Sequence, residues 1–185
     1  MYSEERIQNT EECDKEKTEK EELAGAGEAS GKKEKQRAAA SAMNLLLYRQ
    51  RTEKELRCRL SEKGYSEEAV EEAVRYTSSF GYLNDKAYAE VYLHSMESKK
   101  SRFLIRRELL NKGVPEEYIE ETFEASEDRE EELLFELLKR KLGVPHIPEE
   151  KEKRRATAYC ERRGFSISQI LKQLDRYQEL QENEE

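Results

Sequence analysis

The sequence predicts an all-α protein of three tandem three-helix repeats forming an elongated, curved molecule. Three observations carry this. The stretches Leu56–Val74, Ile105–Phe123 and Ala156–Leu174 each read as a basic helix, a glycine corner and a second helix. Their corner glycines, Gly64, Gly113 and Gly164, lie 49 and 51 residues apart, a period that marks repeat architectures. Apolar residues then recur in register. Leu56, Ile105 and Ala156 stand eight residues before the glycine, and Leu60, Leu109 and Cys160 four before. Tyr65, Val114 and Phe165 stand one after, Val70, Ile119 and Ile170 six after, and Val74, Phe123 and Leu174 ten after. Finally, 41% of the 185 residues are charged, with only eight Gly and three Pro. That composition favours exposed helices over sheet, because strands prefer β-branched residues and turns need Gly and Pro.

In chain order, residues 1–36 read as a disordered charged tail, too poor in apolar side chains to offset the entropy of ordering and interrupted at Gly25–Gly27. Repeat 1 is placed at residues 37–80, repeat 2 at 81–127 and repeat 3 at 128–180, with an acidic fray at 181–185. Helix is expected from near Lys35, with Ala38, Ala42, Leu45, Leu46 and Arg49 on one face. Thr52-Glu53-Lys54-Glu55 fits a capping box that opens the second helix. Gly64 ends it, and Ser66 caps the third with Glu67 and Glu68 at its positive end.

In repeat 2, Asn84 or Asp85 caps a helix whose Tyr88, Val91, Tyr92 and Ser95 share a face. Ser101–Lys112 forms the next helix, and Pro115 opens the last. Repeat 3 begins near Arg129 with Leu134, Leu137, Leu138 and Leu142 on one stripe, and Gly143–Pro148 breaks it rigidly. Helices from about Glu149 to Arg163 and Ser166 to Gln178 complete it. Each helix is too short to be stable alone and must bury its stripe against its partners.

Chemistry-bearing clusters are scarce. Cys13, Cys58 and Cys160 are scattered and unpaired, and only His94 and His146 could add imidazole, so neither a metal site nor a disulfide framework is expected. Cys160 occupies a leucine position of the repeat and reads as a small buried hydrophobe. Tyr82, Tyr88 and Tyr92 read as core and inter-repeat packing, and Asp85 as a helix cap with no converging carboxylate. No phosphate-cradling glycine loop or nucleophile–base set is present. No enzyme activity and no cofactor are expected. No run approaches a membrane span or a signal peptide, so the chain is read as cytoplasmic, with no membrane partner.

The formal net charge is −8, but the two signs are sorted. Residues 1–40 hold 11 acidic and 8 basic groups and residues 179–185 hold 4 acidic ones, leaving 27 acidic and 26 basic in the body. Basic groups outnumber acidic ones six to three from Arg49 to Gly64, six to one from Lys99 to Gly113 and nine to four from Lys139 to Gly164. The third helices of the first two repeats run the other way, through Glu67–Glu72 and Glu116–Glu124.

At Gly81-Tyr82-Leu83-Asn84-Asp85-Lys86-Ala87-Tyr88-Ala89-Glu90-Val91-Tyr92-Leu93 the chain resembles the RecX family, bacterial regulators of the RecA recombinase. Arg49, Arg51, Thr52, Glu55, Leu56, Leu60 and Lys63-Gly64-Tyr65 resemble its first signature, and Glu108, Leu109, Lys112 and Gly113 continue the central one. The resemblance covers Ala38 to Leu180. It departs from the family at Ser95-Met96, where members often carry an arginine, and at Lys99-Lys100-Ser101, where they often carry a glycine. The resemblance implies the same three-repeat fold. It also implies a protein that binds the RecA–DNA filament, including its single-stranded DNA, and lowers its ATP hydrolysis and strand exchange in recombination, DNA repair and the SOS response.

With Ile105 and Leu109 inward, helical phase turns Arg106 and Arg107 to solvent, and Arg57, Arg154 and Arg162 likewise. The expected contacts are Arg106, Arg107, Arg154, Arg155 and Arg162, supported by Arg102, Lys99 and Arg57. Phe103 also faces outward, able to stack on a base or pack on the neighbouring repeat. A near-neutral body predicts weak DNA binding alone and a monomer. The competing readings are a stand-alone DNA-binding module of helix-turn-helix-like repeats and a helical scaffold for another protein.

Overall fold

The computed structural model describes residues 30–143 and 146–182, and its regular structure there is entirely helical. Nine helices follow in order among the described residues. Helix α1 covers residues 30–48. The others are α2 (Glu53–Glu62), α3 (Glu67–Ser79), α4 (Asp85–Met96), α5 (Arg102–Asn111), α6 (Glu116–Glu124), α7 (Glu130–Leu142), α8 (Glu150–Glu161) and α9 (Ile167–Glu182). Cys13 and Val144-Pro145 lie outside the described residues, as do residues 1–29 of the expected tail and 183–185 of the fray.

The caps explain where helices begin. Ser66 Oγ accepts the Ala69 N–H at 3.4 Å, Asn84 Oδ1 the Ala87 N–H at 2.9 Å and Ser101 Oγ the Leu104 N–H at 3.2 Å. Each satisfies a first-turn donor that has no partner within its own helix. Pro115 sits at the cap of α6, one position earlier than a first helical turn. At α8 a capping box joins Glu149 and Glu152.

The chain divides into two compact units. The first takes the described residues 30–50 with Glu55–Leu83, and the second takes Arg51–Lys54 with Asn84 onward. In the first, the expected stripes close on one core of Ala38, Ala42, Leu56, Leu60, Ala69, Val70, Ala73, Val74 and Leu83. Each fully buried leucine contributes about 2 kcal/mol of transfer free energy. Helix α1 is already formed at residue 30, ahead of Lys35, so residues 30–36 of the expected tail are helical. Polar partners on α3 supply what apolar content does not: Glu34 Oε1 accepts the Ser66 N–H at 2.8 Å and Lys35 pairs with Glu68 at 3.1 Å.

The second unit holds two cores, Ala89, Leu93, Ile105, Leu109, Val114 and Ile119 in one, and Leu134, Leu137, Leu138, Ala156, Cys160, Phe165, Ile170 and Leu174 in the other. Burial pushes the Cys160 thiol up to about 11, as expected of an inert hydrophobe. Helix α4 differs from its expected face. Ala89 and Leu93 are buried, whereas Val91 is 54% exposed. Tyr88 and Tyr92 flank the core with rings stacked 6.0 Å apart, and the Tyr92 hydroxyl donates to Glu108 Oε2 at 2.7 Å. A tyrosine needs a polar outlet, so the smaller Ala89 takes the closest contact. Tyr82, expected in the core, is 55% exposed, and Leu83 after it is buried instead. Asp85 does cap a helix, but not its own: its Oδ1 accepts the Glu53 N–H at the start of α2, at 2.9 Å. The last helix runs to Glu182, past the expected end at Gln178.

Candidate partner and nucleic-acid interface

Within the second unit, α5 meets the corner between α8 and α9. Ser101, fully buried, donates its backbone N–H to the Arg163 carbonyl at 2.8 Å. Gly164, at φ +91°, leaves no room for a Cβ: one built there would collide with Ser101 Oγ and Leu104 Cβ. Only glycine permits both the backbone angle and the approach. Arg163 fixes the corner from the other side, with its guanidinium 3.5 Å from the Tyr159 ring centroid and Nη1 donating to Tyr159 O at 3.1 Å.

This joint shapes a groove of about 760 Å³, lined by Phe103, Leu104 and Arg107 of α5, Arg162 and Phe165 of the corner, and Ile167 and Gln169 of α9. Phe103 is 64% exposed, with the Arg107 guanidinium 6.0 Å from its ring centroid. It faces outward, as its phase predicts, and borders the α8–α9 corner across the groove. Glu130 and Glu161 are the groove's acids. Burial, and then Asp128, hold the Glu130 carboxyl above its ordinary range, against the pull of the Arg102 charge and backbone N–H.

The expected contact residues separate into two groups. Arg106 is ion-paired with Glu116 and Glu120, and Arg57 with Glu71 at 2.8 Å. Arg102 lies 5.2 Å from the Phe123 ring centroid and donates to the carbonyls of Phe123, Ser126 and Glu127, which ties down the end of α6. Lys99 donates to Ser95 O at 3.1 Å. These four are occupied within the fold. Arg107, Arg154, Arg155 and Arg162 are exposed, and among the described residues their side chains form no hydrogen bond or ion pair. Arg107 and Arg162 line the groove together. Arg155 stands seven residues before Arg162, two helical turns along nearly the same face of α8, whereas Arg154 is turned about 100° away.

The cause is in the third helices. In the first two repeats a glutamate of the third helix pairs with an arginine of the second: Glu71 of α3 with Arg57, and Glu116 and Glu120 of α6 with Arg106. Helix α9 has no acidic residue in its first turn, where α3 has Glu67-Glu68 and α6 has Glu116-Glu117. Among the described residues, Arg154, Arg155 and Arg162 therefore form no ion pair with α9, whose N-terminus borders the groove at Ser166, where Ser166 Oγ accepts the Gln169 N–H at 3.3 Å. Sequence phase missed Ser166, Ile167 and Gln169; the signal available was Ser166-Ile167-Ser168-Gln169 standing where the other repeats carry paired glutamates. A second cleft, about 580 Å³, lies among Leu93, Ile105 and Leu133. Three of its cations are already engaged: Lys100 with Glu108, Arg129 with Glu127, and Arg102 as above.

Arginine forks beside an exposed aromatic suit recognition of an anionic polymer or acidic surface. Among the described residues no group of His, Cys, Asp and Glu could hold a metal ion, and no helix is long and apolar enough to cross a membrane. Fold and groove together define an all-α tandem-repeat protein with an open groove lined by arginines.

The chain belongs to the RecX family: the models of the RecX first, second and third three-helix domains match residues 38–76, 84–122 and 128–174. It is 34% identical over 145 residues to a regulatory protein RecX of Caldanaerobacter subterraneus subsp. tengcongensis, covering 77% of this chain and 71% of that protein. A regulatory protein RecX of Clostridium perfringens is 30% identical over 105 residues, 56% of this chain and 50% of that one, so the match spans half of that relative's length. The crystal structure of RecX from Lactobacillus salivarius shares the fold, with a TM-score of 0.67 at 22% identity over 80% of this chain and 98% of that chain. The role of such proteins is regulatory.

Proposed function

We propose that this protein binds the RecA filament on single-stranded DNA and lowers its ATP hydrolysis and strand exchange, acting in the cytoplasm as a monomer without catalysis of its own. The observation that supports this reading is the convergence of the unpaired Arg107 and Arg162 with exposed Phe103 in one groove. Arg155 continues the row along α8. Guanidinium forks take phosphate oxygens in bidentate fashion, and an aromatic face accepts any base. With Arg106 held by Glu116 and Glu120, this groove offers an open cationic surface in the second unit. Family membership supports this choice of partner, because relatives carry the name regulatory protein RecX.

The test is RecA-catalysed ATP hydrolysis on single-stranded DNA, measured against rising concentrations of this protein. A saturable fall is expected, and the double reversal Arg107→Glu/Arg162→Glu is expected to abolish it. An unchanged rate at saturation, with filament binding undetectable, would overturn the reading. Tight binding to DNA without RecA would favour the stand-alone module instead.

A further inference from the structure

The two acids of the arginine groove are not equivalent. Glu161 is exposed at the last residue of α8, where a flexible stem lets its carboxylate turn to water. Glu130 is half-buried at the first residue of α7, and its carboxylate accepts the backbone N–H of Arg102 at the start of α5. That hydrogen bond pins Glu130 across the joint between α5 and α7, at the groove that Phe103, Arg107 and Arg162 line.

The cation best placed to neutralise Glu130 is committed elsewhere. Arg102 Nε lies 3.7 Å from Asp128 Oδ1, and its Nη2 donates to the carbonyls of Ser126 and Glu127. Asp128 sets a like charge beside Glu130, since its Oδ1 accepts the Glu130 N–H at 3.0 Å. Glu130 also lines the neighbouring cleft, and the cations there do not reach it either: Lys100 is held by Glu108 and Arg129 by Glu127. Arg140 of that cleft stands among the carboxylates of Glu97, Glu132 and Glu136. Among the described residues no lysine or arginine forms an ion pair with Glu130. Burial and Asp128 already favour its protonated form. A polyanion in the groove adds negative charge beside a carboxyl that has no counterion and is held in place. Across several ångströms of a partly dry site, that repulsion moves a proton equilibrium by roughly threefold to tenfold.

We propose that Glu130 makes this groove a proton-linked site: a polyanion seated between Arg107 and Arg162 draws a proton from solvent onto the Glu130 carboxyl, an effect that rests on the reading of the groove as a polyanion site. The bound state then holds the proton more tightly than the free state. Affinity is highest where both states are protonated, falls as pH rises through the interval between their two values, and levels off above it. Acidification tightens the hold on a strand with no change of fold.

The probe is a fluorescent oligothymidylate, with anisotropy read at constant low salt between about pH 5 and pH 8, a window chosen to include a raised carboxyl. Wild-type affinity is expected to fall roughly threefold to tenfold across it. Glu130→Gln keeps an acceptor for the Arg102 N–H but carries no charge. Its affinity is expected to stay flat and to exceed wild type by the same factor at the alkaline end. His94→Gln/His146→Gln removes both imidazoles of the chain and is expected to keep the wild-type slope. Calorimetry in buffers of different ionisation heat should show proton uptake on binding in the wild type and none in Glu130→Gln. Equal slopes in these two proteins, or a slope that disappears with the histidines, would overturn the proposal and leave the groove as the site. So would a Glu130→Gln variant that binds more weakly than wild type at the alkaline end, which would mark a carboxyl with a structural role alone. Binding indifferent to Arg107→Glu/Arg162→Glu would overturn the groove reading itself, and the proposal with it.

Discussion

Arg106 and Arg107 are adjacent, both point away from the Ile105–Leu109 stripe, and the structure uses them differently. Arg106 reaches Glu116 and Glu120, whereas Arg107 leans over Phe103 into the groove. Arg106→Ala should therefore cost at most about 1 kcal/mol of stability, because the pairs are partly exposed and screened, and should leave filament inhibition intact. Arg107→Ala should leave the denaturation midpoint in place and weaken filament binding roughly fivefold to tenfold, as expected for one charge-assisted contact. Titration of fluorescent filaments alongside urea melts separates the two outcomes. Helical phase made both arginines legible as outward-facing. It could not show that a neighbouring helix would neutralise one of them, because that depends on how α5 and α6 pack.

Glu130 lends itself to a pH test. Its carboxyl is held above the ordinary range by burial and by Asp128, so the folded state holds a proton that the unfolded state releases. Its contribution to stability is therefore full below the ordinary carboxyl range and lost as pH rises through the raised folded value. Glu130→Gln should raise the urea midpoint at pH 7 and flatten its fall between acidic and neutral pH. Glu108 runs the other way. Burial pushes it up, but the hydrogen bonds from Lys100 and Tyr92 outweigh burial and leave it lowered. Its stabilisation is present above the ordinary carboxyl range and lost as pH falls through the lowered value, so Glu108→Gln should lower the midpoint at pH 7.

At the scale of elements, the glycine corners show what a repeated sequence can reveal. The matched residues on the second helices, Leu56 with Leu60, Ile105 with Leu109 and Ala156 with Cys160, are all fully buried, as their register requires. Helix α4 was harder to read, because two tyrosines at helical spacing resemble a core stripe until a polar outlet for their hydroxyls is found. The reason for the corner glycines also exceeds their turn chemistry. Gly81 has φ +72° and open space around it, while Gly164 has φ +91° and Ser101 against it. Gly81→Ala should then cost only the left-handed strain, about 1–2 kcal/mol. Gly164→Ala adds overpacking to that strain and should cost about 3–4 kcal/mol. It should also weaken filament binding, since Arg107 and Arg162 owe their shared groove to that contact. Urea denaturation of the two variants, read beside filament affinity, checks both statements.

At the scale of the whole molecule, the useful quantity is how many cations remain available. The chain has 34 Lys and Arg and a net charge of −8, and the first two repeats spend basic residues on their own glutamates. Binding to naked single-stranded DNA should then draw on three or four arginines. The expected slope of log affinity against log salt is about −2 to −3, at roughly −0.7 per phosphate neutralised. A stand-alone DNA-binding module using every basic second helix would engage Arg57, Arg106 and their neighbours too and give a much steeper slope. The filament reading predicts more: affinity for RecA-coated strands should exceed that for the bare strand and depend less on salt, because protein contacts add to phosphate contacts. Anisotropy titrations between 50 and 200 mM salt, with and without RecA, decide between them. Equal slopes and equal affinities in the two series would mean that the strand alone is the ligand, and the filament would have to be abandoned as the target.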